Sequence, residues 1–518
     1  MPDSLPIWDL TDLYTDSSTS IQQDLDTAKQ QTEKLVQHQG RLSQMTGAEL
    51  AAVIAEYQSV SERLSRIISH ADLQFAADMA DPKTGQHAQG MKEAISGFSS
   101  QLMFIELELA AMDEDGFQEA LSDPDFYHFL PWLRRLRAFA PHQLETRLEQ
   151  MLVERTPAGR GAWIRLFDET ATALRFKFQG TEVTEAEVLN KLSDPSADIR
   201  KEAGQSLSEV MQNNQRLFCL ILNVIAKDKE IDDRWRGFNR PVSSRNLAND
   251  VDDATVDALA SAVTARMPDI AHRYYQLKAG WMGADELSWW DRNAPLPGDD
   301  DRRFNWSDAR QIVTDAFAGF DQPMANVAQQ FFDRNWIDAE VRKGKASGAF
   351  SHPTVPSAHP YILMNFDGRA RDVMTLAHEM GHGIHQVLAA DKGYLMSDTP
   401  LTLAETASVF AEMLAFQTLV DKAPNNAARR FLLAGKVEDM LNTVVRQIAF
   451  HNFETAFHDA RKSGEVSAEV LSDLWIQTQT QALGPAVRLD DSYRSIWAYI
   501  PHFVHTPFYV YAYAFGDC

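Results

Sequence analysis

Apolar residues return along the first part of the chain at spacings of three, four and seven. Ile21, Leu25, Ala28 and Leu35 share one face of a helix, and comparable faces continue through the first 170 residues. Polar punctuation agrees with that reading. Thr184, with Glu187 three residues on and Val188 and Leu189 just after, predicts a capping box. Strand-like stretches are few. Residues 174–179 alternate in part, and residues 361–366 form a short apolar run that stops at Asp367-Gly368. Residues 289–306, dense in proline, aspartate and glycine, predict a surface loop. No fixed-period repeat or low-complexity tract interrupts the pattern. The expected fold is mostly α.

Length and composition narrow the picture. A chain of 518 residues exceeds what one core usually serves, so two lobes are expected. A formal net charge of −24 argues against a nucleic-acid partner, because phosphate binding needs basic surface. The acidity serves solubility or a weak attraction for cationic peptides. Two cysteines, Cys219 and Cys518, form neither a disulfide framework nor a CxxC metal site, which fits a reducing compartment. The N-terminal residues show no basic and apolar leader. The apolar stretch 496–515 is interrupted by Pro501, His502, His505 and Pro507 and does not read as a membrane span. A cytoplasmic location is the expectation. The sequence closes on YVYAYAFGDC without a polar tail and reads as a piece of a longer chain.

The candidate chemistry sits in LAHEMGHGIHQ. His378 and His382 are four residues apart, so on a helix both can turn a ring nitrogen towards one tetrahedral zinc. Glu379 lies beside them, placed to act as a general base. His385 shares the face, but seven residues rise about 10.5 Å, too far for it to join the same ion. It reads as a neighbour of the ligands, as a substrate contact or as a hydrogen-bonded structural histidine. Leu388 stands where a metzincin would carry its third histidine, which excludes that class. The third ligand is then expected to be a carboxylate from a second helix. Thr399-Pro400 predicts that helix, with threonine as cap and proline at its first position. A short turn between the two helices lets the second return, and it carries Glu405, an acid within a largely apolar run, as the ligand. Glu412 shares the face of Glu405 and reads either as an orienting partner for a ligand histidine or as a solvated acid.

Beyond these residues, four segments occur in a telling order: IWDLTDLY, KASGAFSHPTVPSAHPYILMNFDGRARDVMTLAHEMGHGIHQ, MSDTPLTLAETASVFAEML and IPHFVHTPFYVYAYAFG. Together they resemble the M3 family of zinc metallopeptidases, specifically its oligoendopeptidase F branch, over essentially the whole chain. The resemblance implies two mostly helical, zincin-like lobes enclosing a deep substrate channel, with a small β-sheet beside the HExxH helix. The corresponding division is an N-terminal helical lobe over 1–190 and a catalytic lobe over 191–518, the latter truncated at its C-terminus. Residues 361–366 would be a strand of the sheet on which an extended peptide pairs, preceded by the flexible stretch GKASGAF.

For the site, the resemblance implies one Zn2+ held by His378, His382 and Glu405, with Glu379 as catalytic base and acid. It also implies a substrate-binding histidine, His502, and tyrosines Tyr509 and Tyr513 in the following helix. Four residues apart, these phenols would share a face and donate to an oxyanion. Tyr511 falls on another face and reads as core. Val504 occupies a position where relatives often carry tyrosine, with His505 next as a further candidate. The implied activity is a cytoplasmic zinc endopeptidase acting on internal bonds of short peptides, without a nucleic-acid or membrane partner. The competing readings are a catalytically inactive helical peptide-binding protein that retains its metal site, and a metallohydrolase of non-peptide amides.

Overall fold

The structure is a computed structural model and describes residues 4–15, 17–297, 303–346 and 348–518. It is mostly helical with three small sheets among the described residues. The predicted periodicities are realised. Ile21, Ala28 and Leu35 are buried on the helix Ser17–Val36. Thr184 caps the helix Glu185–Lys191, and the Glu187 side chain completes the box. Residues 176–178 pair antiparallel with residues 181–183 in a two-stranded hairpin.

The chain packs as two compact units that interleave in sequence. The first takes residues 1–154, 301–400 and 406–422; the second takes 155–300, 401–405 and 423–518. This division differs from a cut at 190. The reason is visible in the second unit's core, where Phe167, Phe176, Phe178 and Val188 pack on Ala203, Leu207 and Phe218 of the long helix Ala197–Trp235. The apolar side chains of residues 155–191 bury against that helix, which ties the segment to the second unit.

Within the first unit, helices Ser17–Val36, Gly47–Ala77, Phe104–Ala110 and Leu130–Phe139 enclose one core. The same unit contains a three-stranded sheet. Its centre is Tyr361–Leu363, parallel to Ile337–Asp338 on one side and antiparallel to Phe350–His352 on the other. Residues 361–363 are therefore flanked on both sides and offer no edge to a peptide, contrary to the expectation. Phe350–His352 is an outer strand instead.

The stretch GKASGAF also departs from a flexible one in its described part. Lys345 Nζ donates to Asp338 Oδ1 and to three carbonyls, and the Ala346 amide donates to Ala76. Gly344 adopts φ +88°, and a Cβ there would stand 2.5 Å from Asp78 Oδ1. Ser347 lies outside the described residues.

The expected loop at 289–306 differs at its start. Trp289 and Trp290 are buried, Trp289 Nε1 donates to Ser492 Oγ, and Arg200 donates to Asp291. Aromatic burial outweighs the polar composition there. Residues 298–302 of that stretch lie outside the described set, and Trp306 already opens the helix Trp306–Phe320.

Candidate metal centre

The HExxH segment lies on the helix Ala370–Ala389. Asp372 accepts from the Asp367 and Arg369 amides at its start, a carboxylate at the positive end of the helix. The helix packs beside the sheet: Ser351 Oγ on the outer strand donates to Gln386 Oε1 at 2.9 Å. A left-handed Gly393, φ +83°, follows its last turn and redirects the chain.

The second helix runs Leu401–Asp421. Its start corrects the sequence reading by one place. Pro400 is the cap, extended at ψ 144°, with no side-chain cap bond, so Thr399 lies outside the helix. The first turn is secured differently, by Thr402 Oγ1 donating to the Asn249 carbonyl at 2.8 Å. By length and composition this helix is apolar enough to cross a membrane. Here it buries Ala411, Ala415, Phe416 and Leu419 within the protein.

The two helices meet closely. A Cβ on Gly381 would stand 2.6 Å from the Ala407 carbonyl oxygen and 2.7 Å from Ala411 Cβ. This approach brings one ligand atom each of His378, His382 and Glu405 within 4.8 Å of one another. All three residues are half-buried, and Glu379 beside them is buried. His378 Nδ1 donates to Glu412 Oε2 at 3.2 Å, which leaves Nε2 for a metal. Two imidazoles and a carboxylate around one point fit a metal ion. His385 is not in this group. It is half-buried further along the helix, where burial and the nearby His382 lower its pKa.

The late histidine and tyrosines also come together. His502 Nε2 and the Tyr513 hydroxyl share a hydrogen bond at 3.2 Å, and Tyr509 packs on both rings, 5.8 Å from His502 and 5.1 Å from Tyr513 between centroids. Their arrangement departs from one helical face. The last helix is Tyr511–Asp517, so Tyr509 precedes it. Pro507 and a left-handed Phe508, φ +61°, turn the chain first. Burial, then the charge of Glu405, pushes the Tyr509 phenol up. Burial, then Arg446, pushes the His502 imidazole down. Both groups are held neutral, as hydrogen-bonding groups rather than ions.

Gly516 brings the last helix against Glu405: a Cβ there would lie 2.5 Å from Glu405 Cβ. Tyr511 is core, as read, and Asn249 Nδ2 donates to its hydroxyl. His505 goes elsewhere. Its Nε2 pairs with Asp168 Oδ1 at 2.6 Å, and Arg160 donates to its carbonyl.

Helices that bring an HExxH pair and a downstream glutamate to one point present a donor set that could hold a metal ion. The chain belongs to peptidase family M3, in its oligopeptidase F branch: the profile of peptidase family M3 matches residues 314–516, and that of oligopeptidase F matches residues 108–176. Group B oligopeptidase PepB of Streptococcus agalactiae is 25% identical over 524 residues, covering 98% of this chain and 85% of the relative. Oligopeptidase PepF of Bacillus subtilis is 23% identical over 98% of this chain and 77% of its own. The fold is that of oligoendopeptidase F from Enterococcus faecium, with TM-score 0.70 and 19% identity over 96% of this chain and 86% of that one. PZ peptidase A, solved with an inhibitor, gives TM-score 0.76 at 16% identity over 95% and 86%. The protein is thus a peptidase of a metallopeptidase family, and a metal is its expected cofactor.

Proposed function

We propose that this protein is a zinc-dependent endopeptidase that hydrolyses internal bonds of short peptides. The observation that carries the reading is the convergence of His378, His382 and Glu405 ligand atoms within 4.8 Å, with Glu379 buried next to the first histidine. One Zn2+ bound by those three side chains would supply Lewis acidity and lower the pKa of water. The chain's own groups do the rest. Glu379 takes a proton from the water that attacks the peptide carbonyl and returns it to the leaving amine. Tyr509, Tyr513 and His502 donate hydrogen bonds to the oxygen on which negative charge develops; neutral phenols suit this because they need not ionise. Glu412 fixes the tautomer and orientation of His378.

An extended substrate would add its backbone to the outer strand Phe350–His352, beside the HExxH helix. Net charge −24 speaks for peptides rather than nucleic acid as the partner. The free Cys219 and Cys518 suit a cytoplasmic location.

The test is the Glu379→Gln variant, loaded with zinc and assayed on a quenched fluorescent peptide. It is expected to retain one zinc per chain and to lose at least about 100-fold in kcat. Wild-type turnover in that variant would sink the mechanism. No cleavage by the zinc-loaded wild type, with peptide binding retained, would favour an inactive peptide-binding protein instead.

A further inference from the structure

The turn that delivers Tyr509 is built against its own preference. Thr506, Pro507, Phe508 and Tyr509 form a turn closed by the Tyr509 amide donating to the Thr506 carbonyl at 3.1 Å. Proline at the second position is usual there. A left-handed third position is normally glycine or asparagine, and here it is Phe508 at φ +61°. A bulky side chain holds that conformation only where its surroundings over-determine it.

They do so in two ways. The Phe508 ring, 1% exposed, packs on His458 and His451, with centroids 4.8 and 5.9 Å away. The Phe508 amide donates to Glu454 Oε1 at 2.8 Å. Glu454 sits on the helix Arg446–Arg461 and is itself 1% exposed. A carboxyl there is costly to bury and has no part in the reaction described above. Its second oxygen meets no hydrogen-bond donor among the described residues. Burial pushes its pKa up to about 8, so the group that accepts from Phe508 is largely the neutral acid at pH 7.

We infer that Glu454 is a positioning residue: by accepting the Phe508 amide it locks the left-handed turn, and so sets Tyr509 against His502 and Tyr513. The inference rests on the reading of Tyr509 and Tyr513 as oxyanion donors. What Glu454 supplies is an oxygen acceptor at one point, not charge. Glutamine should therefore replace it and leucine should not.

The experiment uses the full-length, zinc-loaded protein and a quenched fluorescent peptide. Glu454→Leu is expected to lower kcat by about 10- to 100-fold, with KM changed less than about threefold and zinc content unaltered. Glu454→Gln should stay within about threefold of wild type. Amide exchange at Phe508 should accelerate by about tenfold in the leucine variant and not in the glutamine variant. Wild-type kcat in Glu454→Leu, while Tyr509→Phe and Tyr513→Phe lose activity, overturns the role of Glu454 alone. Wild-type kcat in both tyrosine variants overturns the oxyanion reading and this inference with it. Equal damage from glutamine and leucine overturns the acceptor argument. Should the leucine variant not fold, amide exchange in the wild type decides: Phe508 should be as protected as the core amides of Arg446–Arg461, and an unprotected Phe508 amide overturns the lock.

Discussion

His378 has one ring nitrogen to offer a metal because Glu412 engages the other. In the proposed site the pairing fixes the tautomer and raises the basicity of Nε2, so its loss should be felt in affinity before chemistry. Glu412→Ala is expected to weaken zinc binding by about 10- to 100-fold, read by competition with a chromophoric chelator. Unchanged affinity would reduce Glu412 to a surface acid. Single residues were legible in the sequence when they broke a local rule. Glu405 stood out as an acid in an apolar run, and His378 and His382 by their spacing. Glu454 broke no rule visible along the chain, since its helix carries a second acid, Asp459, and only burial sets Glu454 apart. His505 was misjudged by proximity alone: two residues from Phe503 in the core, it turns outward to Asp168 on another helix.

At the scale of elements, helix periodicity was the clearest signal, and the capping box at Thr184 appears as read. Approach distances between elements were not legible, because they depend on what a glycine lacks. Gly381 faces the backbone of the Glu405 helix, where a methyl group would meet the Ala407 oxygen at 2.6 Å and the Ser408 Cα at 2.8 Å. Backbone cannot rotate away as a side chain can. Gly381→Ala should therefore push the two helices apart, costing about 1–3 kcal/mol of stability. It should also loosen the ligand set that spans the helices. Thermal melting and chelator competition read the two effects separately. A variant with wild-type Tm and zinc affinity would show that the helix pair yields freely. The order of strands escaped for a related reason: an apolar run announces a strand, but a fully buried run such as Tyr361–Leu363 reads alike whether central or at an edge.

At the scale of the whole molecule, length foretold two bodies but not their interleaving, since residues 155–191 join the second unit through contacts with residues much further along the chain. The same burial sets a pH dependence that composition hides. Burial lowers His70 to about 4, helped by the charge of His87; burial likewise lowers His451 to about 4, and His458 to about 3 with Lys229 adding to it. Each folded-state pKa lies below the unfolded value near 6.5, so the folded protein binds fewer protons in that interval. Their stability is present above about pH 6.5 and lost as pH falls towards 4, at about 1.4 kcal/mol per pH unit for each group. Glu454 acts with the opposite sign. Raised to about 8, it binds an extra proton in the folded state, and its contribution declines as pH rises from its unfolded pKa, near 4.3, to 8. Burial also lowers His352 and His359 and raises Glu185 to about 7. The histidines therefore outnumber the raised acids and leave a net loss on the acid side, while Glu185 and Glu454 govern the interval from about 6.5 to 8. Melting of the metal-free protein should therefore peak near pH 6.5. His70→Phe should flatten the acid limb and leave the alkaline one, whereas Glu454→Gln should flatten the limb above pH 6.5. Parallel pH profiles for wild type and His70→Phe would mean that His70 already gains a proton in the folded state. Its buried Nδ1, without a hydrogen-bond partner among the described residues, and the Tyr14 ring against it argue that it does not.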